Sequence, residues 1–142
     1  SYSRLGSPPS LDSLTRDVFN SVQIYSPETI RRIIRGIVAA TKHLHNNGIM
    51  HGDIYAHNVL INAAGNSILG DFGAATYYDP ESDHNQRRQR VDVRGIGYLI
   101  DDLISLGTAD YGDLTKLRQA CLNPKIDEVP LLEDLEKAIN NN

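Results

Sequence analysis

The longest regular pattern of apolar positions lies between Ser26 and Gly48. Its members recur three or four residues apart, which is the spacing of one face of an α-helix, and they are Ile30, Ile33, Ile34, Ile37, Val38, Thr41 and Leu44. Ser26 is a good N-cap, Pro27 suits the first helical position, and Gly48 is a typical stop. The pattern therefore predicts a helix that packs one face against a core.

After this helix the apolar positions form short runs that are typical of strands. Val59–Ile61 and Ile68–Leu69 flank the turn-forming residues 62–66, which predicts a β-hairpin. Residues Tyr77–Arg90 are polar and have no period, so we expect a loop there. The remaining apolar segments predict helices over Leu11–Phe19, Asp92–Leu106, Asp110–Leu122 and Pro130–Asn140. The helix that begins at Asp92 is apolar on most sides, so we expect it to be central.

Composition narrows the classes of function. The 142 residues include 14 Lys or Arg and 18 Asp or Glu, and the net charge of -4 argues against general binding to nucleic acid or to an anionic membrane. No apolar run is long enough to span a bilayer. Cys121 is the only cysteine, so no intrachain disulfide can form, and we expect a cytoplasmic protein.

The residues that carry chemistry lie in His51–Ile61 and in Asp71–Gly73, which follows the hairpin. Asn58 comes five positions after Asp53, which is the spacing of a protein kinase catalytic loop, and Asp-Phe-Gly is the kinase metal-binding motif. In this order the chain resembles the protein kinase family. The resemblance extends to residues 121–130, which look like the closing motif of the kinase C-terminal lobe.

The resemblance implies a kinase C-terminal lobe over residues 1–142, α+β and predominantly α-helical, with a small β-hairpin. Its catalytic loop would be residues 51–61, and its short activation segment residues 73–91. No glycine-rich phosphate loop and no Val-Ala-Ile-Lys strand precede the catalytic loop, so we expect the N-terminal lobe to be absent from this chain. In such a lobe the carboxylate of Asp92 is expected to accept hydrogen bonds from backbone amides around His51 and Gly52.

The resemblance also implies roles for five residues. Asp53 would orient the attacking hydroxyl or accept its proton, and His57 would supply a positive charge or a hydrogen bond beside it. Asn58 and Asp71 would hold the Mg²⁺ ions that bridge the phosphates of ATP, and Leu60 would form part of the floor beneath the adenine. The implied activity is ATP-dependent phosphorylation of protein hydroxyls by the parent enzyme.

Departures from the family pattern leave two alternatives open. Gly52 replaces the usual Arg before the catalytic Asp, and it makes the loop similar to the His-Gly-Asp loops of small-molecule phosphotransferases that share the kinase fold. The activation segment lacks Ala-Pro-Glu, and Val129 stands where the Arg partner of that Glu is usual. The alternatives are a small-molecule phosphotransferase and a non-catalytic, pseudokinase-like interaction module. We expect the chain alone to be inactive and, with Phe72 uncovered, prone to self-association.

Overall fold

The computed structural model of this chain describes residues 1–7 and 24–141. In this part of the chain the fold is α+β and mainly helical, as predicted. The α-helices, which we number α1 to α4, span Pro27–Asn46, Asn85–Ser105, Asp113–Cys121 and Leu132–Asn140. The strands, β1 to β5, span Ser3–Arg4, Ile49–Met50, Val59–Ile61, Ser67–Leu69 and Thr76–Tyr77. The prediction for Leu11–Phe19 lies outside the described residues.

The helix predicted from the first apolar pattern is confirmed as α1. The hydroxyl of Ser26 accepts a hydrogen bond from the backbone amide of Thr29 at 3.1 Å, as an N-cap residue does. The buried side chains of α1 form one face of the helix, namely Ile30, Ile33, Ile34, Ile37, Val38, Thr41 and His45. This face packs against the hairpin, α2 and α4, so the apolar period of the sequence identifies a core helix.

The predicted hairpin is confirmed, and a strand that the sequence did not reveal is added to it. β3 and β4 pair antiparallel, with Leu60 opposite Ile68. β1 pairs antiparallel with the other edge of β3, which gives the strand order β1-β3-β4. A second, two-stranded sheet joins β2 to β5, with Met50 opposite Thr76. This second sheet ties the residues before His51 to the segment that follows Gly73.

The loop predicted for Tyr77–Arg90 is wrong over its last part, because α2 already begins at Asn85. Gln and Arg are good helix formers, and the first turns of α2 are exposed or half-buried. They therefore lack the apolar period by which a buried helix is recognised in a sequence. As a consequence Asp92 lies about two turns inside α2 and does not begin the helix.

Helix α2 is central, as predicted. Its buried residues run along most of its length, and they are Asp92, Val93, Ile96, Gly97, Leu99, Ile100, Leu103 and Ile104. Helices α1, α3 and α4 all contact it. A Cβ atom at Gly97 would lie 2.6 Å from the Cβ of Cys121, so glycine at this position permits the close approach of α3.

The last two helices also agree with their predictions, although each begins later than predicted. Helix α3 begins at Asp113 and α4 at Leu132, while both end within a residue or so of the expected position. None of the described helices is both long enough and apolar enough to cross a lipid bilayer. Residues 51–58, which include Asp53, His57 and Asn58, lie between β2 and β3.

Candidate functional site

The carboxylate of Asp92 holds the start of the catalytic loop. It is 1% exposed, and its two oxygens accept hydrogen bonds from the backbone amides of His51 at 2.8 Å and Gly52 at 2.9 Å. These are the bonds that the resemblance predicted, and they are confirmed. A charged acceptor makes such bonds strong, so the backbone conformation at His51 is fixed from α2.

A third partner of Asp92, which sequence reasoning missed, is the buried imidazole of His45. Its Nε2 lies 2.7 Å from the Asp92 carboxylate, and its Nδ1 lies 2.5 Å from the hydroxyl of Tyr78. An ionised carboxylate only accepts, so Nε2 carries the hydrogen, and in a neutral ring Nδ1 accepts from the Tyr78 hydroxyl. The three side chains connect α1, α2 and the residue that follows β5. The sequence does contain a signal for this contact. His45 comes four residues after Thr41, so it continues the buried face of α1.

The Tyr78 hydroxyl is well suited to remain a hydrogen-bond donor. Burial, together with the negative charge of Asp92, raises the pKa of Tyr78 to about 12, although the positive charge of Arg88 opposes the rise. The backbone amide of Tyr78 also donates to the carbonyl of Gly48 at 2.7 Å. The short segment after Gly73 is thus attached both through its backbone and through the half-buried side chain of Tyr78.

The conformation at Gly52 requires glycine. Its φ is +82°, and a Cβ atom there would lie 2.9 Å from the carbonyl oxygen of Ala74. The residue that departs from the kinase pattern therefore has a local structural reason for its identity. The close approach also brings the segment after Asp71–Gly73 against the catalytic loop.

Asp53 and Asn58 form a direct pair. The Nδ2 group of Asn58 donates to the Asp53 carbonyl at 2.8 Å and to the Asp53 carboxylate oxygen Oδ2 at 2.9 Å. Asn58 is 5% exposed and ends a single turn of 3-10 helix that begins at Ala56. The pairing restrains the Asp53 carboxylate, while the Oδ1 atom of the Asn58 amide remains a potential ligand.

His57 approaches the same oxygen of the Asp53 carboxylate that accepts a hydrogen bond from Asn58. Its Nε2 is 3.8 Å from Oδ2 of Asp53, a distance that allows an ionic attraction when the ring is protonated but is too long for a hydrogen bond. The ring of Tyr55 stacks on the ring of His57, with centroids 6.0 Å apart and an angle of 8° between the planes. Tyr55 therefore acts as a packing partner that orients the His57 ring.

His51 connects the catalytic loop to the residue before Asp71. Its Nε2 donates to the carbonyl of Gly70 at 2.8 Å, and its Nδ1 accepts from the backbone amide of Asp53 at 3.2 Å. The backbone amide of Gly70 donates to the carbonyl of Asn58 at 2.8 Å. Since both backbone groups of Gly70 are bound to the catalytic loop, Asp71 begins directly beside Asn58.

Asp71–Gly73, directly after Gly70, are all exposed. Asp71 has a φ of +53°, the only positive value at a non-glycine residue in the described ranges, and its Oδ1 accepts from the Gly73 amide at 3.2 Å. Such a conformation is costly for most residues, and Asp is among those that tolerate it. The neighbouring Phe72 is 51% exposed, and its ring lies 5.3 Å from that of His51.

The structure brings three of the five residues implied by the resemblance close together and places the other two further along the chain. Asp53, His57 and Asn58 are in direct contact or close to it, and Asp71 is attached through Gly70. The fifth residue, Leu60, is half-buried in β3. Within residues 1–7 and 24–141 no group of three or more His, Cys, Asp or Glu side chains is arranged to hold a metal ion.

Comparison with known proteins matches residues 9–104 of the chain to the protein kinase domain. A probable serine/threonine-protein kinase of Arabidopsis thaliana is 32% identical over 88 residues, which are 62% of this chain and 15% of that protein. A serine/threonine-protein kinase US3 homolog of Gallid herpesvirus 2 is 36% identical over 70 residues, 47% of this chain and 17% of the relative. The eIF-2-alpha kinase GCN2 of Arabidopsis thaliana is 32% identical over 113 residues, 80% of this chain and 9% of the relative.

The chain therefore spans less than a fifth of the length of these relatives. The matched region nevertheless covers more than half of the chain, and it contains the catalytic loop and Asp71–Gly73. The order of these motifs, the central helix that fixes the loop and the match to the family domain agree with one another. The chain belongs to the protein kinase family.

Proposed function

We propose that this chain carries the catalytic loop of a protein kinase that transfers the γ-phosphoryl group of ATP to a protein hydroxyl. The observation that supports the proposal best is the restraint of the Asp53 carboxylate by the amide of Asn58, at 2.9 Å. Phosphoryl transfer depends mainly on positioning and on charge stabilisation. A carboxylate held by a buried neighbour, on a loop fixed by Asp92, meets the first requirement.

In this proposal Asp53 orients the hydroxyl of the substrate and accepts its proton during transfer. Asp53 could not accept the proton if its carboxylate were turned away from the substrate hydroxyl. The hydrogen bond from Asn58 restrains that rotation. His57, 3.8 Å from Asp53, contributes positive charge near the transferred group when its ring is protonated. Tyr55 keeps the His57 ring in that orientation through stacking.

The residues present also suit Mg²⁺, which prefers hard oxygen ligands and is commonly held by one or two protein side chains together with substrate phosphates. Asn58 uses its amide nitrogen on Asp53, so its Oδ1 is available as a ligand. Asp71 uses Oδ1 on the Gly73 amide and retains Oδ2. When bound, Mg²⁺ would neutralise charge on the phosphates of ATP. Leu60, in the neighbouring strand, is proposed to contact the adenine.

We propose Ser or Thr hydroxyls of proteins as the acceptors, since two of the relatives named above are serine/threonine-protein kinases. The alternative of a small-molecule phosphotransferase rested on the His-Gly-Asp sequence. Gly52, however, is explained by its φ of +82° and by the closeness of the Ala74 carbonyl. The glycine therefore gives no reason to prefer a small substrate over a protein.

The 142-residue chain alone is proposed to be inactive. The Lys that positions the α- and β-phosphates and the loop that covers them belong to the kinase N-terminal lobe. Without that lobe a nucleotide would contact one wall only, around Leu60, and would lose most of the burial on which small-ligand affinity depends. We propose that Phe72, 51% exposed, lies on the face that an N-terminal lobe would cover and favours self-association of the chain alone.

The test uses the full-length protein that contains this chain, with radiolabelled ATP, Mg²⁺ and a mixture of Ser and Thr peptides. Asp53→Asn should lower kcat at least about 100-fold while the KM for ATP changes little. Asp127→Asn, at an exposed position in the turn Ile126–Glu128, is the matched control and should retain wild-type activity. Equal activity of wild type and Asp53→Asn would refute the role of Asp53, and transfer only to small hydroxyl compounds would favour the alternative enzyme.

A further inference from the structure

A cavity of about 300 Å³ lies where β2 meets the first turns of α2. It is lined by Met50, His84, Arg87, Arg88 and Val91. Met50 and Val91 supply an apolar wall, while two guanidinium groups and one imidazole supply the polar part. No carboxylate belongs to the lining given by the described residues. The cavity is therefore positively charged in a chain whose net charge is -4.

The two arginines of this cavity differ from Arg90 in their polar contacts with the described part of the chain. Neither Arg87 nor Arg88 forms a side-chain hydrogen bond or an ion pair with another residue in the ranges 1–7 and 24–141. Arg90, one turn further on the same helix, differs in that its Nε donates to the Val129 carbonyl at 2.8 Å. Arg90 is thus structural, whereas none of the described residues neutralises Arg87 or Arg88 through an ion pair, and both can bind an anionic ligand.

The cavity is adjacent to the catalytic loop. Met50 is followed directly by His51, and Val91 by Asp92, and these two following residues are joined by a hydrogen bond of 2.8 Å. Met50 precedes Asp53 by three residues, so their Cα atoms are at most about 11 Å apart. An extended peptide covers this distance in about three residues. A substrate whose hydroxyl reaches Asp53 can therefore place another side chain in the cavity.

We propose that this cavity binds an acidic side chain of the protein substrate, either Asp, Glu or a phosphorylated residue, about three positions from the acceptor hydroxyl. The inference rests on the proposed kinase function. Arg87 and Arg88 bind the carboxylate or phosphate through charge-assisted hydrogen bonds, while Met50 and Val91 contact the apolar part of the side chain. The volume is at the lower limit for ligand pockets, which fits one side chain better than a nucleotide.

The experiment measures kcat/KM of the full-length protein on peptides that carry one Ser or Thr acceptor. One series places Asp or phosphoserine at each position up to five residues on either side of the acceptor, and the reference peptide has Ala at those positions. We expect an acidic residue about three positions away to raise kcat/KM about tenfold, mainly through a lower KM. In Arg87→Gln/Arg88→Gln the ratio of kcat/KM for the acidic peptide to kcat/KM for the neutral peptide should fall to near one.

The control variant Arg31→Gln/Lys116→Gln also removes two positive charges, one at a half-buried position on α1 and one at an exposed position on α3. It should leave the ratio unchanged, and an equal loss of preference in both double variants would overturn the proposal. Arg87→Glu/Arg88→Glu should shift the preference to peptides with Lys at the same position. A wild-type kcat/KM that is equal for acidic and neutral peptides would also overturn the inference. So would a preference for acidic peptides that survives in Arg87→Gln/Arg88→Gln and in Arg87→Glu/Arg88→Glu.

A second measurement separates this inference from the proposed function. The fluorescently labelled acidic and neutral peptides are titrated against the full-length protein without ATP, so that no catalysis is required. A failure of phosphoryl transfer in the wild type would overturn the kinase proposal alone. The cavity would still be supported if Arg87→Gln/Arg88→Gln weakened binding of the acidic peptide about fivefold or more relative to the control variant. Equal binding by both variants would overturn the cavity.

Discussion

The catalytic-loop residues 51–58 and the segment Asp71–Gly73 are held in very different ways. His51 and Asn58 are 0% and 5% exposed, and the backbone amides of His51 and Gly52 donate hydrogen bonds to the Asp92 carboxylate in α2. In Asp71–Gly73, by contrast, all three residues are exposed, and the Asp71 carboxylate has one hydrogen bond, 3.2 Å long, to the amide of Gly73. The two regions meet at Gly70, whose backbone is bound to the loop.

The difference separates two ways of organising a site. The Asp53 carboxylate is oriented before any ligand binds, because its neighbours belong to the folded core. The Asp71 carboxylate leaves the core at a residue with positive φ, so its final position depends on what it binds. We therefore expect substitutions that loosen the loop to lower both stability and activity, and substitutions at Asp71 to affect ligand binding alone.

The largest effect is expected for Asp92→Ala. The change leaves the backbone amides of His51 and Gly52 and the Nε2 of His45 without their acceptor in a buried place. Loss of a buried charged partner costs about 3 kcal/mol of unfolding free energy. Urea denaturation followed by circular dichroism would measure it.

Asp101→Ala is the matched control for this experiment, because Asp101 lies on the same helix in a partly exposed ion pair with Arg118, 3.4 Å long. Its cost should stay below about 1 kcal/mol. Similar losses for the two variants would mean that the loop is not held by Asp92 in the way described above.

Asn58→Ala should have the next largest effect. The Nδ2 group donates twice to Asp53, so its loss should cost about 1–2 kcal/mol of stability and release the Asp53 carboxylate. Asn46→Ala, at an exposed position in α1, should stay within about 0.5 kcal/mol of wild type. The same denaturation experiment compares the two variants. A cost for Asn58→Ala no larger than that of Asn46→Ala would contradict a restrained Asp53.

Much of this arrangement could be predicted from the sequence. The apolar period of α1 and the turn residues between β3 and β4 report local energetics, and both elements were predicted correctly. The contact of Asp92 with the loop followed from the family resemblance, because the resemblance carries long-range information that a local pattern lacks. The spacing of Asp53 and Asn58 likewise predicted that both residues serve one site.

The remainder depends on contacts between distant segments, which leave no local signal. β1 is two residues long, and it exists because β3 offers an edge for pairing. The bond between His45 and Tyr78 joins residues 33 positions apart. The first turns of α2 were predicted as a loop because they are polar and only partly buried. Arg87 and Arg88 fall in this part of the predicted loop, and in the structure they belong to α2 and line a cavity.

Tyr78→Phe should have a smaller effect than the two substitutions in the loop. It removes the hydrogen bond to the buried His45 ring, which should cost about 1 kcal/mol at neutral pH. The folded-state pKa of about 12 lies above the unfolded value near 10. Between these pH values the unfolded chain loses a proton that the folded chain keeps, so the wild-type stability falls as pH rises.

Tyr77→Phe is the control for Tyr78→Phe, since the Tyr77 side chain is 83% exposed. Denaturation at pH 7, 10 and 12 should show a weaker alkaline loss for Tyr78→Phe than for wild type or Tyr77→Phe. Ultraviolet titration of the 7 tyrosines should show that Tyr78→Phe removes a group that ionises near pH 12. An alkaline profile that Tyr78→Phe leaves unchanged would show that Tyr78 does not donate the hydrogen bond to His45.

Asp71→Asn should change the free energy of unfolding least, by less than about 0.5 kcal/mol. The Asn Oδ1 atom can accept the bond from Gly73, and Asn tolerates the φ of +53° as well as Asp does.

The loss caused by Asp71→Asn should appear instead in ligand binding, because an amide is a poorer Mg²⁺ ligand than a carboxylate. Calorimetric titration of the full-length protein with ATP and Mg²⁺ should show weaker binding in Asp71→Asn, and the same titration without Mg²⁺ should show no difference from wild type. A stability loss comparable to that of Asn58→Ala would mean that the folded core also holds Asp71–Gly73, and the contrast between the two regions would then be wrong.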